Sequence, residues 1–193
     1  MATYEELKIQ FNGNRIPYSE LLLTDEWRDK RSDIIERDKY VCRECNKAKT
    51  IYSQVTGLNY WSVLIREESV VLMHLPISPE PVPVTICAEY EDIPADKPYQ
   101  LHVHHTYYIL TKLPWEYPDE SLQTLCNWCH HSLHQNIEVP KYKNELRLLH
   151  ANCPTCERCG GAGNLPQYSY VQNGVCFGCD GRGFILPLAE TGI

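Results

Sequence analysis

Leu122-Gln-Thr-Leu-Cys126-Asn-Trp-Cys129-His130-His131-Ser-Leu-His134 carries three signals in thirteen residues. Leu122–Leu125 has strand character, and Asn127–Gln135 suits a short helix. Between them, Cys126 and Cys129 have the two-residue gap that lets both thiolates reach one tetrahedral ion. On the helix, His130 and His134 lie four apart and project from one face, so both can chelate a second ion, whereas His131 points elsewhere.

A third nitrogen must come from another segment, and Leu101-His102-Val103-His104-His105 supplies several. One histidine can bind metal while a neighbour, kept off the metal, activates water as a general base. Adjacent strand residues face opposite ways. Either a bulge or the strand end turns both His104 and His105 into the site, or His102 and His104 are the same-face pair.

Eight of the ten cysteines form four C-x-x-C pairs: Cys42/Cys45, Cys126/Cys129, Cys156/Cys159 and Cys176/Cys179. Such pairs could be redox dithiols or a disulfide framework. In a chain whose acidic start, MATYEELKIQF, lacks the grammar of a signal peptide, metal ligation is the stronger reading. The absence of any run of about 20 apolar residues points the same way, to a cytoplasmic protein without a membrane span. Cys87 and Cys153 are left over, Cys87 as a small buried side chain.

Taken together, Cys42-Arg-Glu-Cys45, the Leu101–His105 run and Trp115-Glu-Tyr-Pro-Asp-Glu-Ser121 leading into Leu122–His134 resemble the zinc-ribbon-bearing His-Asn-His (ββα-metal) endonucleases. The resemblance covers residues 27–135. It implies an α+β fold with a ββα-metal core and zinc knuckles, Cys42, Cys45, Cys126 and Cys129 sharing one structural zinc. By the same resemblance His105 is the general base, and His104, His130 and His134 hold one divalent cation (Mg2+, Mn2+, Ni2+ or Zn2+), similar to the colicin-type nucleases. Ser121 stands where the family has the asparagine that braces the loop between the strands, a task Asn127 could share. The implied reaction is hydrolysis of DNA, RNA not being excluded, to 5′-phosphate and 3′-hydroxyl ends.

Cys156-Glu-Arg-Cys159-Gly-Gly-Ala-Gly163 recurs twenty residues later as Cys176-Phe-Gly-Cys179-Asp-Gly-Arg-Gly183. Both fit C-x-x-C-x-G-x-G, similar to the DnaJ-type cysteine-rich fold, in which two such units share one zinc. The glycines let the backbone turn tightly enough for its N–H groups to reach the thiolates. Such a module could grip nucleic acid, dock a partner, or serve as a metal staple for a tail too small to hold itself together.

The expected organisation is an extended lead-in over residues 1–23, a nuclease domain over 24–150 with a β-rich insertion at about 50–100, and a zinc-stapled β-rich module over 151–193. A helix is expected from Asp25 to Asp38, capped by Thr24 and burying Trp27, Ile34 and Ile35. Strands flank a turn at residues 66–69, a proline-rich loop follows at Pro76, Pro79, Pro81 and Pro83, and Lys141–Leu149 reads as a further helix behind Pro140.

Arg28, Lys30, Arg31, Arg37, Lys39 and Arg43 are the candidates for phosphate contact, or, with acids interleaved, a solvated helix face. The formal charge is −7. Two tetrathiolate zinc sites, each about −2, and one divalent cation would bring it to about −9, which disfavours tight binding of naked DNA and suggests a protein partner or oligomer that holds the substrate. A non-catalytic zinc adaptor is the competing reading.

Overall fold

The computed structural model describes residues 2–66, 69–73, 80–86, 89–168 and 170–186. The lead-in is helical rather than extended, with α1 (Tyr4–Phe11) followed by the short α2 (Tyr18–Leu21). A capping box starts α1: the Thr3 hydroxyl accepts from the Glu6 N–H, and the Glu6 carboxylate accepts from the Thr3 N–H. The turn at Asn12-Gly13, where both residues have positive φ, ends it.

Helix α3 (Asp25–Arg37) follows its expected boundaries. Thr24, fully buried, accepts from the Trp27 N–H and donates to the Leu21 carbonyl. Trp27, Ile34 and Ile35 form its inner face.

Residues 49–99 form one compact unit; residues 1–48 and 100–193 form the other. In the former, β1 (Ile51–Tyr52), β2 (Asn59–Arg66) and β5 (Glu89–Pro94) make an antiparallel sheet in the order β1-β2-β5, and β3 (Ser69–Met73) pairs with β4 (Val82–Ile86). Both strands expected around residues 66–69 exist, but they pair with other partners rather than with each other. Pro83 lies inside β4, opposite Leu72, not in a loop; a two-stranded sheet consists of edges, where a missing N–H is tolerated. Pro76, Pro79 and Cys87 lie outside the described residues. Thr50 and Tyr99 close this unit with reciprocal bonds, Thr50 N–H to the Tyr99 carbonyl at 3.0 Å and Tyr99 N–H to Thr50 Oγ1 at 2.9 Å.

In the other unit, β6 (Leu101–His105) pairs antiparallel with β8 (Leu122–Cys126) in unbroken register, and α4 (Asn127–Asn136) follows directly. The β6 side chains alternate. Val103 packs towards Ile34, Tyr117 and Leu122, and His105 stacks on Trp27, while His102 and His104 meet rings of α4. The strand thus has α3 on one face and α4 on the other.

A short parallel pair joins β7 (Tyr108–Ile109) to β9 (Lys141–Tyr142). It replaces the start of the helix expected over Lys141–Leu149: the Pro140 and Tyr142 carbonyls accept from Tyr108 and Leu110, and Lys143 donates to Leu149 across a turn. Helix propensity here yields to a non-local pairing.

The Cys-Gly repeat is turn-built rather than β-rich, its described residues holding two 3-10 turns and isolated bridges. Its halves bond reciprocally, Cys156 N–H to the Gly183 carbonyl and Cys176 N–H to the Gly163 carbonyl, both at 2.9 Å. Contacts cross the boundary expected near Asn152: Asp180 accepts from the Tyr18 N–H and the Ser19 hydroxyl, and Phe184 meets Tyr108 edge-on at 5.1 Å. Among the described residues no helix is long and apolar enough to cross a membrane.

Candidate metal centres

Among the described residues, three side-chain clusters could each hold a metal ion: Cys42/Cys45/Cys126/Cys129, Cys156/Cys159/Cys176/Cys179 and His104/His130/His134, with all donor atoms of a cluster within 4.8 Å of one another. A tetrahedral zinc with Zn–S of about 2.3 Å spaces its sulfurs by about 3.8 Å. The Cys45–Cys126 and Cys159–Cys179 separations are 3.7 Å, and Cys156–Cys176 is 3.9 Å. Both cysteine sets therefore fit zinc as they stand, and Cys153, though buried, belongs to neither.

Local turns aim the thiolates. Cys42 lies in a knuckle where its N–H bonds the Lys47 carbonyl and its carbonyl accepts from Asn46, a left-handed residue at φ 58°. Cys126 ends β8 and caps α4, its sulfur accepting from the Cys129 N–H. In the repeat, Gly163 N–H reaches Cys159 Sγ at 3.3 Å and Gly183 N–H reaches Cys179 Sγ at 3.2 Å. A hydrogen bond from Cys179, with help from the Gly163 and Gly161 N–H groups, pushes Cys159 down to about 5 against the effect of burial.

The histidine cluster draws one ligand from β6 and two from α4. Nε2 of His130 and of His134 lie 3.2 Å apart, close to the spacing of about 3.3 Å that metal–nitrogen bonds of about 2.0–2.1 Å impose on a tetrahedron. His104 closes the triangle, edge-on to both rings at 5.2 and 4.9 Å. Nδ1 of His104 and Nδ1 of His130 are buried with no hydrogen-bond partner. Burial, reinforced by neighbouring imidazoles and nearby cations, drops His104 to about 3, His134 to about 4 and His130 well below its usual range. All three are neutral near pH 7, the form that ligates metal. Gly161 of the repeat backs the site: a Cβ there would stand 3.2 Å from His134 Nδ1.

His102 joins this cluster. Its ring stacks on His130 at 5.7 Å and 12°, and its buried Nε2 lacks a partner. The unbroken β6 register decides the alternatives left open by the sequence: His102 and His104 share a face, and no bulge redirects His105.

His105 lies on the other face, 2% exposed, boxed by Trp27, Tyr108 and Tyr117 at ring distances of 5.3, 5.4 and 4.6 Å. Its Nε2 is 2.9 Å from the Pro114 carbonyl. A carbonyl only accepts, so Nε2 carries the proton and Nδ1 the lone pair. Burial lowers His105 to about 4.

Ser121 acts on backbone. Its hydroxyl donates to the Pro118 carbonyl at 2.7 Å, and its own carbonyl accepts from the N–H and hydroxyl of Thr106. Asn127 ties α4 to the entry of β6 through two bonds with Gln100.

Five of the six basic candidates are engaged internally. Arg28 pairs with Asp25 and Asp29, Lys30 with Asp119, and Arg31 donates to the Leu101 carbonyl. Arg37 and Arg43 pair with Asp38, and Arg37 also reaches the Leu122 carbonyl. Burial raises the Asp38 carboxyl, but Arg37 and the Thr124 N–H outweigh it and hold the group below its usual range. Lys39 sits at φ 57° just past the helix.

Protein-family models, curated proteins and solved structures give no match to this chain.

What the sequence did not reveal is the setting: the aromatic box around His105, the Pro114 carbonyl, and Gly161 behind His134. Alternation along β6, which already offered His102 and His104 as the same-face pair, places His105 away from the other histidines.

Proposed function

We propose that the chain is a one-metal phosphodiester hydrolase of the His-Asn-His type, acting on DNA. One observation carries this reading: three buried, neutral imidazoles converge from an antiparallel strand pair and the helix that follows it, with no acid or thiolate in the cluster among the described residues. Three protein donors are the pattern of a catalytic site that keeps a coordination position for substrate or water, whereas the two four-thiolate sets are closed. A divalent ion held by His104, His130 and His134 would supply neutralisation of the charge that builds on a phosphate oxygen and the leaving oxygen.

The resemblance assigns proton removal from the attacking water to His105, although regular β6 turns its ring to the face opposite His104, where Trp27, Tyr108 and Tyr117 enclose it. It is neutral near pH 7, and the Pro114 carbonyl fixes the tautomer that leaves the acceptor lone pair on Nδ1. His102 competes for this role because it shares the face of His104 and presents an unpartnered nitrogen. Ser121 and Asn127 hold the β6–β8–α4 unit in place.

Plasmid nicking with added Mn2+ or Mg2+ tests the reading. His134→Ala is expected to lose cleavage together with the third metal. His105→Gln, which keeps an N–H for Pro114 but removes the basic nitrogen, is expected to lose cleavage and keep the metal. Full activity in His105→Gln, with loss in His102→Gln, would move the base to His102. A wild-type protein that holds metal and cuts neither DNA nor RNA would leave the zinc adaptor, which the internal engagement of Arg28, Arg31 and Arg37 favours.

A further inference from the structure

A cavity of about 360 Å³, lined by none of the residues of the three metal clusters, lies between α1, α2, the β7 segment and the end of the Cys-Gly repeat. Its size falls in the range of about 300–1,000 Å³ typical of small-molecule sites. Tyr4, Tyr18, Tyr108, Tyr117 and Phe184 contribute its aromatic lining. The other distinctive component is charge: Lys8, Arg15, Lys112 and Arg182 line it, and no Asp or Glu does. In a chain with 18 basic and 25 acidic residues, that local excess runs against the overall balance.

The cations differ in availability. Lys8 pairs with Glu5 and Lys112 with Glu145. Arg182 lies over the Tyr18 ring at 5.2 Å, an aromatic contact that does not itself use its N–H donors. Among the described residues neither Arg15 nor Arg182 forms an ion pair. Aromatic faces beside arginine edges suit a planar ring that carries a phosphate.

We infer that this cavity binds a nucleoside monophosphate unit, the base against the tyrosines and the phosphate on Arg15 and Arg182. The unit is either a free nucleotide or the phosphorylated end of a strand. This site does not depend on the histidine cluster being catalytic.

Calorimetric titration of the full-length, zinc-loaded protein tests the inference, using deoxyadenosine 5′-monophosphate, a 5′-phosphorylated hexadeoxynucleotide, the same hexamer without phosphate, and inorganic phosphate. The mononucleotide or the phosphorylated hexamer is expected to saturate below about 1 mM, at least about tenfold tighter than the other two ligands. Saturation by the mononucleotide alone identifies a free nucleotide; tighter binding of the phosphorylated hexamer identifies a strand end. Arg15→Glu, and separately Thr111→Glu at the exposed rim, should weaken binding at least about tenfold with zinc content unchanged. His134→Ala should leave it unchanged, so this site and the nuclease reading fail separately. No saturation, phosphate binding as tightly as the nucleotide, or full affinity in both glutamate variants would overturn the inference.

Discussion

A methyl group on Gly163 would stand 2.2 Å from the Gly181 carbonyl oxygen, and one on Gly183 would stand 2.0 Å from that of Gly161. Neither clash can be relieved by a side-chain rotation, because the obstacle is backbone that also carries the zinc turn. Gly163→Ala should therefore lose about one zinc per chain by elemental analysis while Cys42, Cys45, Cys126 and Cys129 keep theirs. Gly13→Ala is the control: its φ of 80° is also left-handed, but a Cβ there meets nothing within 4 Å, so it should cost about 1 kcal/mol and no metal. Gly161→Ala tests the link between the repeat and the histidines. Its Cβ would press on His134 at 3.2 Å, so affinity for the third metal should fall while both cysteine sites stay filled, measured by competition with a chromogenic chelator. The glycines that matter here were legible as a repeat, since each C-x-x-C-x-G-x-G half needs the other to complete it. The role of Gly161 beside His134 was not, because that contact joins two segments whose sequences carry no sign of each other.

Among the elements, α3 and α4 could be read directly because their apolar spacing, caps and chelating pair are local properties. Helix α1 carries a local signal as well, Thr3 and Glu6 in capping-box spacing, but the short segment before Asn12-Gly13 suggested extended chain. The segment after Pro140 shows the opposite failure: its helical composition is overridden by pairing with β7, a partner about thirty residues away that no window contains. Cys126 sits where three roles coincide, as the end of β8, a thiolate of the first cysteine site and the cap of α4. Serine keeps an oxygen able to cap but cannot replace the thiolate. Cys126→Ser is accordingly expected to lose that zinc and unfold the β6–β8–α4 unit, seen as loss of helical circular dichroism, because binding energy at such sites is folding energy. Retained helicity in the zinc-free variant would show that packing against α3 holds the unit by itself.

For the molecule as a whole, the buried histidines set an acid limit. Well above pH 6.5, His104, His105 and His134 are neutral in both folded and unfolded chains and add no pH dependence. Below it the unfolded chain takes up protons that the folded one refuses until about pH 4 for His105 and His134 and about pH 3 for His104. Stability therefore falls with falling pH through this window, by up to about 1.4 kcal/mol per pH unit for each histidine. Protons competing for the thiolates and imidazoles act in the same direction when metal is bound. The urea midpoint should drop from pH 7 to pH 5; a flat profile would mean the rings are not buried in solution. The inserted unit has a different consequence, fixed by its closed ends. Thr50 and Tyr99 are already bonded to each other across the neck of the insertion, so the chain leaves and returns at nearly one point. Evolution can treat the intervening stretch as an exchangeable cassette, lengthening, replacing or deleting it through a single junction without rebuilding the cysteine and histidine clusters encoded on either side.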